Sequence, residues 1–264
     1  MFPFHIPPPL LPQSFFQKIL GLQFWKKDLS LLLKHLGVGH FLIAPSAPSV
    51  LGLREDKDYR EAVQNADLAI ADSGLMCLCW NLTNPFKRVC RISGYRFLWM
   101  LIDSGRLNPP GHSFWVMASE HDEKAGIDWL NTQKNFTLTK NDTYIAPQYP
   151  SGPIFDRALL NQLNRQQPPF IILNIGGGTQ ERLGYFLRKN LVYPATIICT
   201  GAALGFMTGR QTYIPDWADK CYLGWLWRCA GNPTLFVPRY FKGLLFIPLF
   251  LRFREQLPDL KGSS

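Results

Sequence analysis

An aspartate after a short apolar segment is the first candidate for chemistry. The segment 67–72, DLAIAD, predicts a strand, and the Ser73-Gly74 pair that follows predicts a turn. Asp72 would then stand at the carboxyl end of a strand, where a carboxylate can take a proton from a substrate hydroxyl as a general base. A role as the N-cap of the next helix accounts for the same spacing equally well.

A basic residue follows at Arg91, in the stretch VCRISG, shortly before Ser93, where a helix is predicted to begin. An arginine beside a helix N-terminus is suited to holding a phosphate or to positioning an acceptor sugar. The ordinary alternative is a solvated surface arginine.

Glycine turns follow two further predicted strands. In 172–186, ILNIGGGTQERLGYF, a strand leads into a glycine turn and then a helix, so backbone N–H groups can approach a phosphate or sugar closely. The candidates there are three consecutive glycines and the polar pair after them: Gly176, Gly177, Gly178, Gln180 and Glu181. The polar pair is suited either to binding a sugar or to capping the helix. TGAALGF at 200–206 repeats the design with Gly201 at the turn, where a tight strand-to-helix connection is the simple alternative.

These residues need a scaffold whose strands end at one edge. Strands are predicted at 40–44, 67–72, 113–118, 135–139, 170–175 and 195–200, and amphipathic helices at 54–66, 95–103, 120–133, 154–165 and 180–190. Strands alternating with helices indicate an α/β fold with a mostly parallel sheet and helices on both faces. In such folds ligands bind beyond the carboxyl ends of the strands.

Composition narrows the classes of protein. The 264 residues are 47% apolar and 18% charged, which excludes global disorder. The 28 basic residues exceed the 19 acidic ones and give a formal charge of +9, which favours anionic partners such as phosphorylated ligands, nucleic acid or an acidic membrane surface. No apolar stretch reaches the roughly 20 residues of a membrane span, and the N-terminus lacks signal-peptide features, so a cytoplasmic protein is expected.

The two ends of the chain differ from its centre. We predict a proline-rich, loosely packed arm and a helix at 1–38, an α/β core at 39–207 and a helical appendage at 208–264. Between Lys220 and Arg254 the appendage carries six basic residues, no acidic one and nine aromatics. Such a segment is suited to stacking on nucleic acid, docking on a membrane or closing over a diphosphate. Arg228 and Arg239 are the candidates for neutralising a departing diphosphate.

Other chemistries lack their motifs. The five histidines form no HxH or HExxH pattern, and the six cysteines match no zinc spacing, so no catalytic metal is expected. No GxSxG marks a serine nucleophile. A dinucleotide-dependent oxidoreductase lacks its early GxGxxG, so no cofactor is expected.

Taken in order, the segments resemble the WecG/TagA/CpsF family of bacterial glycosyltransferases from about residue 44 to 240. ADLAIADSG (66–74) is similar to the family's "AD…DG", CRISG (90–94) to "eRvtG", and GGGTQE (176–181) to "GxPkQE". The stretch 208–240 is similar to "aG…AP.W…EWlyR…eP.R…RY". The chain departs from the family at Ala44-Pro45-Ser46, where the family has "TxN", at the inserted Ser73, and at Gly178 in place of proline.

The resemblance implies a Rossmann-like core of the GT-E type and an inverting reaction without a catalytic metal. It places the catalytic aspartate on Asp72, acceptor binding on Arg91, and donor binding on Gln180 and Glu181 together with the glycine turns. It further implies a nucleotide-sugar donor, a polyprenyl-diphosphate-linked acceptor and the capacity to form a homo-oligomer.

The sequence thus predicts a UDP-sugar-dependent glycosyltransferase of surface or exopolysaccharide biosynthesis, held peripherally on the inner face of the cell membrane by anionic lipid. A non-catalytic nucleotide- or nucleic-acid-binding module is the alternative that the basic tail leaves open. The chain has no RRM, KH, helix-turn-helix or zinc signature, so nucleic acid is not expected as a partner.

Overall fold

The computed structural model describes residues 11–210, 224–231 and 233–261. Its strands are β1 (Phe16–Ile19), β2 (Leu22–Trp25), β3 (Phe41–Ile43), β4 (Leu68–Ala69), β5 (Ser113–Met117), β6 (Thr143–Ile145), β7 (Phe170–Asn174) and β8 (Thr196–Cys199). Its α-helices up to the last strand are α1 (Leu29–His35), α2 (Ala47–Val50), α3 (Gly52–Glu55), α4 (Lys57–Gln64), α5 (Gly74–Thr83), α6 (Gly94–Asp103), α7 (Glu120–Lys134), α8 (Arg157–Gln166) and α9 (Thr179–Asn190). Those after it are α10 (Ala203–Met207), α11 (Gly224–Gly231), α12 (Pro233–Leu244) and α13 (Phe246–Phe253).

The eight strands form one sheet in the order β1-β2-β4-β3-β8-β7-β5-β6. Only β1 and β2 pair antiparallel, and every other neighbouring pair is parallel. Successive residues of β3 enter opposite cores. Phe41 and Ile43 belong to the core that includes Leu183 of α9, whereas Leu42 belongs to the core that includes Phe97 of α6. This alternation buries both faces of the sheet under helices, as parallel sheets require. The predicted mostly parallel α/β fold is confirmed.

The four central strands bring four loops to one edge. Because β4, β3, β8 and β7 are parallel neighbours, the segments that follow them all leave from the carboxyl edge of the sheet. The loop after β4 contains Asp72, the loop after β7 contains the glycine turn, and the loop after β8 contains Gly201. The fold therefore collects the sequence candidates at one place.

One predicted strand, 135–139, is wrong. Asn135 takes a left-handed conformation (φ 56°) and ends α7, and Phe136 turns inward against Trp115. The Asn131 side chain then accepts a hydrogen bond from the Leu138 amide at 2.9 Å, which occupies a group that a strand would use in its ladder. The edge strand forms later, at β6.

The expected loose packing of the N-terminal arm is also wrong for residues 16–25. These residues form a β-hairpin at the edge of the sheet, with Phe24 and Trp25 buried. The turn uses positive φ values at Leu20 (49°) and Gly21 (81°). Burial of these aromatics explains the pairing, whereas the prolines that suggested an arm belong to the first twelve residues, of which 1–10 lie outside the described structure. The domain division at residues 38 and 207 stays a prediction.

The last described helix returns to the core. Phe246 and Phe250 of α13 are fully buried, and the Phe250 ring meets Trp80 of α5 edge-on at 6.0 Å between centroids. The Leu20 amide donates to the Arg254 carbonyl at 2.7 Å, which fastens the end of α13 to the N-terminal hairpin. Residues 246–261 are thus part of the packed domain. Among the described residues, none of the helices has the length and apolar character to cross a bilayer.

Truncation of Phe250 tests this packing. We expect Phe250→Ala to lower the free energy of unfolding by about 3–4 kcal/mol, because it opens a cavity beneath Trp80. Leu251→Ala, at a neighbour that is 58% exposed, should change it by less than about 0.5 kcal/mol. Chemical denaturation of both variants measures the difference, and equal effects would mean that α13 is not packed as described.

Candidate active site at the carboxyl edge of the sheet

The loop after β4 presents a half-buried carboxylate. Asp72 lies three residues beyond β4, and Ser73, rather than Asp72, is the N-cap of α5, accepting a hydrogen bond from the Met76 amide at 3.3 Å. The alternative that Asp72 caps α5 is therefore wrong. The Asp72 side chain is not used in capping that helix.

That carboxylate is held from the next helix. The Gly94 amide, at the first residue of α6, donates to Asp72 Oδ1 at 3.1 Å. Within the described part of the chain, no hydrogen bond reaches Asp72 Oδ2. One carboxylate oxygen is thus fixed while the other can receive a proton. The positive end of the α6 dipole favours negative charge at this place.

Arg91 lies beside the same residue. Its Nε donates to the Asp72 carbonyl at 3.0 Å, and the neighbouring Ile92 amide donates to the Ala71 carbonyl at 3.2 Å. The segment before α6 therefore runs along the segment after β4. This places a half-buried guanidinium next to the candidate base, and Ser93 caps α6 as predicted.

The glycine turn after β7 combines an open backbone with a tight contact. Gly176 and Gly177 are exposed, and a side chain added at Gly176 would meet nothing within 4 Å. A Cβ at Gly177 would lie 3.0 Å from Ser49 Oγ. Gly178 has φ +90°, and its N–H donates to Glu181 Oε2 at 2.6 Å. A ligand can therefore approach the turn most closely at its first two glycines.

Gln180 and Glu181 hold the turns rather than line the surface. Gln180 is 2% exposed and Glu181 is fully buried. The Gln180 amide donates to Glu181 Oε1 at 3.0 Å, and its oxygen accepts from the Gly201 amide at 2.8 Å. Burial raises the pKa of the Glu181 carboxyl, while the bonds from Gln180 and the Gly178 amide oppose that rise. The arrangement locks the turn after β7 to the turn after β8.

The candidates form one connected group. Asp72 contacts Gly94, and a Cβ at Gly94 would lie 3.4 Å from the Thr200 carbonyl, next to Gly201. The Gly201 amide in turn donates to Gln180, which lies in the first turn of α9, directly after the glycine turn. In the described residues, three or more His, Cys, Asp or Glu side chains do not come together as metal ligands would. The group can supply a base, a guanidinium and backbone donors.

Comparison with known families decides the class. Residues 17–259 match the glycosyl transferase WecG/TagA/CpsF family. The chain belongs to this family. It is therefore a glycosyltransferase, and the match extends beyond both ends of the stretch on which the resemblance was based. The family implies, in general terms, a nucleotide-sugar donor and a lipid-linked acceptor. No curated protein matches the sequence closely enough to be compared.

The two tail arginines of this glycosyltransferase stay predictions. Arg228 and Arg239 belong to α11 and α12, but their side chains lie outside the described structure. The helix of Arg239 lies near the site: Gly243 of α12 packs on Pro48 of α2, at a distance of 3.4 Å from an added Cβ to Cγ. Helix α2 directly follows β3 and so belongs to the carboxyl edge.

Sequence reasoning missed three contributors to the glycosyltransferase site. Gly94 supplies the amide that holds Asp72, and an added Cβ there would be in ordinary contact with the Thr200 carbonyl at 3.4 Å. Ser46 and Ser49 share a hydrogen bond at 2.7 Å, and Ser49 faces Gly177. Both serines follow β3, so their position after a central strand was the available signal.

Gln180→Ala tests the lock between the turns. Loss of two hydrogen bonds should lower the free energy of unfolding by about 2 kcal/mol and raise the donor KM more than it lowers kcat, because the backbone of the turn loosens. Gln166→Ala, which removes one exposed bond to the Asn141 carbonyl, should change neither. Denaturation and steady-state kinetics measure both effects. A raised donor KM with unchanged stability would instead indicate direct contact with the donor.

Proposed function

We propose that the protein is an inverting, metal-independent glycosyltransferase that moves a sugar from a UDP-linked donor to a polyprenyl-diphosphate-linked saccharide in surface or exopolysaccharide biosynthesis. The observation that carries the proposal is the Asp72 carboxylate, half-buried at the carboxyl edge with Oδ1 bound by Gly94. Family membership favours this enzyme over the non-catalytic binding module.

In the proposed step, the acceptor hydroxyl oxygen attacks the anomeric carbon as its proton passes to Asp72 Oδ2. The bond from that carbon to the diphosphate oxygen breaks, and the electron pair leaves with the nucleoside diphosphate. Attack from the face opposite the leaving group inverts the configuration. Arg91 is proposed to orient the acceptor on this side, and its hydrogen bond to the Asp72 carbonyl supports this role.

The departing diphosphate needs positive charge or directed donors. The exposed amides of Gly176 and Gly177, at the start of the twelve-residue helix α9, are suited to this part of the donor. Gly178, Gly201, Gln180 and Glu181 then serve donor binding by fixing the turns. Arg228 and Arg239 are proposed to complete the cationic side when the tail closes over the site.

We further propose that residues 208–264 associate with an anionic membrane surface on the cytoplasmic side, where a lipid-linked acceptor is found. The support is the charge of this segment together with the packing of α12 on α2 beside the site. Basic residues near such a surface contribute about 1 kcal/mol each. Formation of a homo-oligomer stays a prediction.

Asp72→Asn tests the general base. We expect kcat to fall about 10²- to 10⁴-fold with the donor KM nearly unchanged, because asparagine keeps the shape but cannot take a proton. Asp128→Asn, an exposed carboxylate on α7, should leave both constants unchanged. Turnover within a few fold of the unsubstituted enzyme would remove Asp72 from the mechanism.

A donor and acceptor panel tests the reaction itself. The full chain is incubated with UDP- and GDP-sugars and a short-chain polyprenyl-diphosphate-linked sugar, with and without EDTA. We expect a mass increment of one sugar from a UDP donor, the opposite anomeric configuration in the product, and no effect of the chelator. Transfer only from GDP-sugars would contradict the assignment of a UDP-linked donor. Transfer that EDTA abolishes would contradict metal independence.

A further inference from the structure

Helix α5 is apolar around most of its circumference although only one side is buried. Met76, Cys77 and Trp80 face the core, while Leu78 and Leu82 on the other side are 42% and 79% exposed. Phe86, in the turn after the helix, is 100% exposed. A helix that is apolar all round ordinarily has a second apolar neighbour.

The exposed phenylalanine stands on a fixed turn. Asn81 of α5 bonds both backbone groups of Val89, at 3.1 Å to the carbonyl and 2.9 Å from the amide. Trp80 Nε1 donates to the Lys87 carbonyl at 2.6 Å. The turn is therefore held from both ends, and Phe86 projects from it without packing on the protein.

Helix α13 packs against the inward side of α5 and carries exposed apolar residues of its own. The two helices pack together through Trp80 and Phe250, and Lys87 Nζ pairs with Glu255 Oε1 at 3.1 Å just beyond α13. On α13 the outward residues follow helical spacing, and Leu251 is 58% exposed. We call the outward side chains of this pair the apolar flank: Leu78, Leu82, Phe86, Leu245 and Leu251.

The charge around the apolar flank points to its partner. Residues 73–102 contain four basic residues and no acidic one, and residues 224–254 contain five and none. The remainder of the chain has nineteen of each sign, so these two segments carry the whole formal charge of +9. Four of the nine adjoin members of the apolar flank in the sequence: Lys87 and Arg88 follow Phe86, and Arg252 and Arg254 follow Leu251. Of these, Lys87 is paired with Glu255. Exposed apolar side chains with basic neighbours match the interface of an anionic bilayer.

We propose that the apolar flank docks into the headgroup region of an anionic phospholipid bilayer, with α5 of the core, and not only the tail, in contact with lipid. Helix α5 begins two residues after Asp72, so its ten residues set the candidate base about 15 Å along the helix axis from the exposed turn. The docked helix would thereby fix the orientation of the active site toward a lipid-linked acceptor. This inference rests on the proposed function and extends it.

Flotation of the full chain with vesicles tests the proposal. The double variant Leu82→Ser, Phe86→Ser should lower the partition coefficient on vesicles of phosphatidylcholine and phosphatidylglycerol at least about tenfold. The matched control Val38→Ser, Val192→Ser changes two side chains that are each 57% exposed, before β3 and β8, and should float as the unsubstituted chain does. If the double variant also floats unchanged, or if it disperses a dimer instead, the proposal is overturned.

Removal of basic side chains gives a second, independent test of the docking surface. Arg88→Gln with Arg252→Gln should weaken binding roughly fivefold per charge on the anionic vesicles and leave the weak binding to pure phosphatidylcholine unchanged. An equal loss on both kinds of vesicle would contradict the assignment to anionic lipid. If the double serine variant melts early, the single Phe86→Ser, at a fully exposed position, replaces it.

Activity separates this inference from the proposed function. The serine variants should keep transfer to a soluble acceptor with a short lipid and lose transfer to the same sugar carried on vesicles. If the unsubstituted chain floats with vesicles but transfers no sugar, the proposed reaction is contradicted and the docking surface is not. If the serine variants transfer sugar normally to the acceptor on vesicles, the docking surface is contradicted and the reaction is not.

Discussion

The hydrogen bond from the Gly94 amide to Asp72 joins two parts of the fold that share no strand pairing. It ties the loop after β4 to the N-terminus of α6, and it does so at a carboxylate that has no other described side-chain bond. Such a bond fixes the direction of the second oxygen without consuming it. A Cβ added at Gly94 would lie 3.4 Å from the Thr200 carbonyl, in ordinary contact, so α6 begins directly beside the end of β8. The position of the candidate base therefore depends on close packing between α6 and the end of β8.

The glycine turn after β7, where donor binding is proposed, is also held by hydrogen bonds, in this case from buried side chains. Glu181 is a fully buried acid whose oxygens accept from Gln180 and from the Gly178 amide. An internal carboxylate of this kind is costly unless its bonds are complete, which explains why the two residues act together. Glu181 holds Gly178, while Gly176 and Gly177 stay exposed. The surface offered to a ligand is therefore made of backbone groups, and the buried side chains of Gln180 and Glu181 hold that backbone in place.

The C-terminal part of the chain combines two environments in a short distance. Inward residues such as Phe250 complete the core, and outward residues such as Leu251 meet solvent beside basic neighbours. Helix α13 packs on α5, and α5 starts two residues after the candidate base. An enzyme whose acceptor is carried by lipid, as proposed here, needs a defined orientation on the bilayer, and two packed helices provide one.

The sequence by itself determined the five inner strands, the helices α4 and α6–α9, and the edge at which Asp72 and the glycine turns meet. Parallel strands with two buried faces leave a strong apolar pattern, and this is why the inner strands were predictable. Local pattern failed at the N-terminal hairpin and at 135–139, where pairing across the sheet and the left-handed Asn135 decided the outcome. Only the tertiary structure showed that Gln180 and Glu181 are buried, that Gly94 holds Asp72, and that α13 packs on α5. Burial and contacts between distant segments depend on how elements pack, and the spacing of residues along the chain does not record that packing.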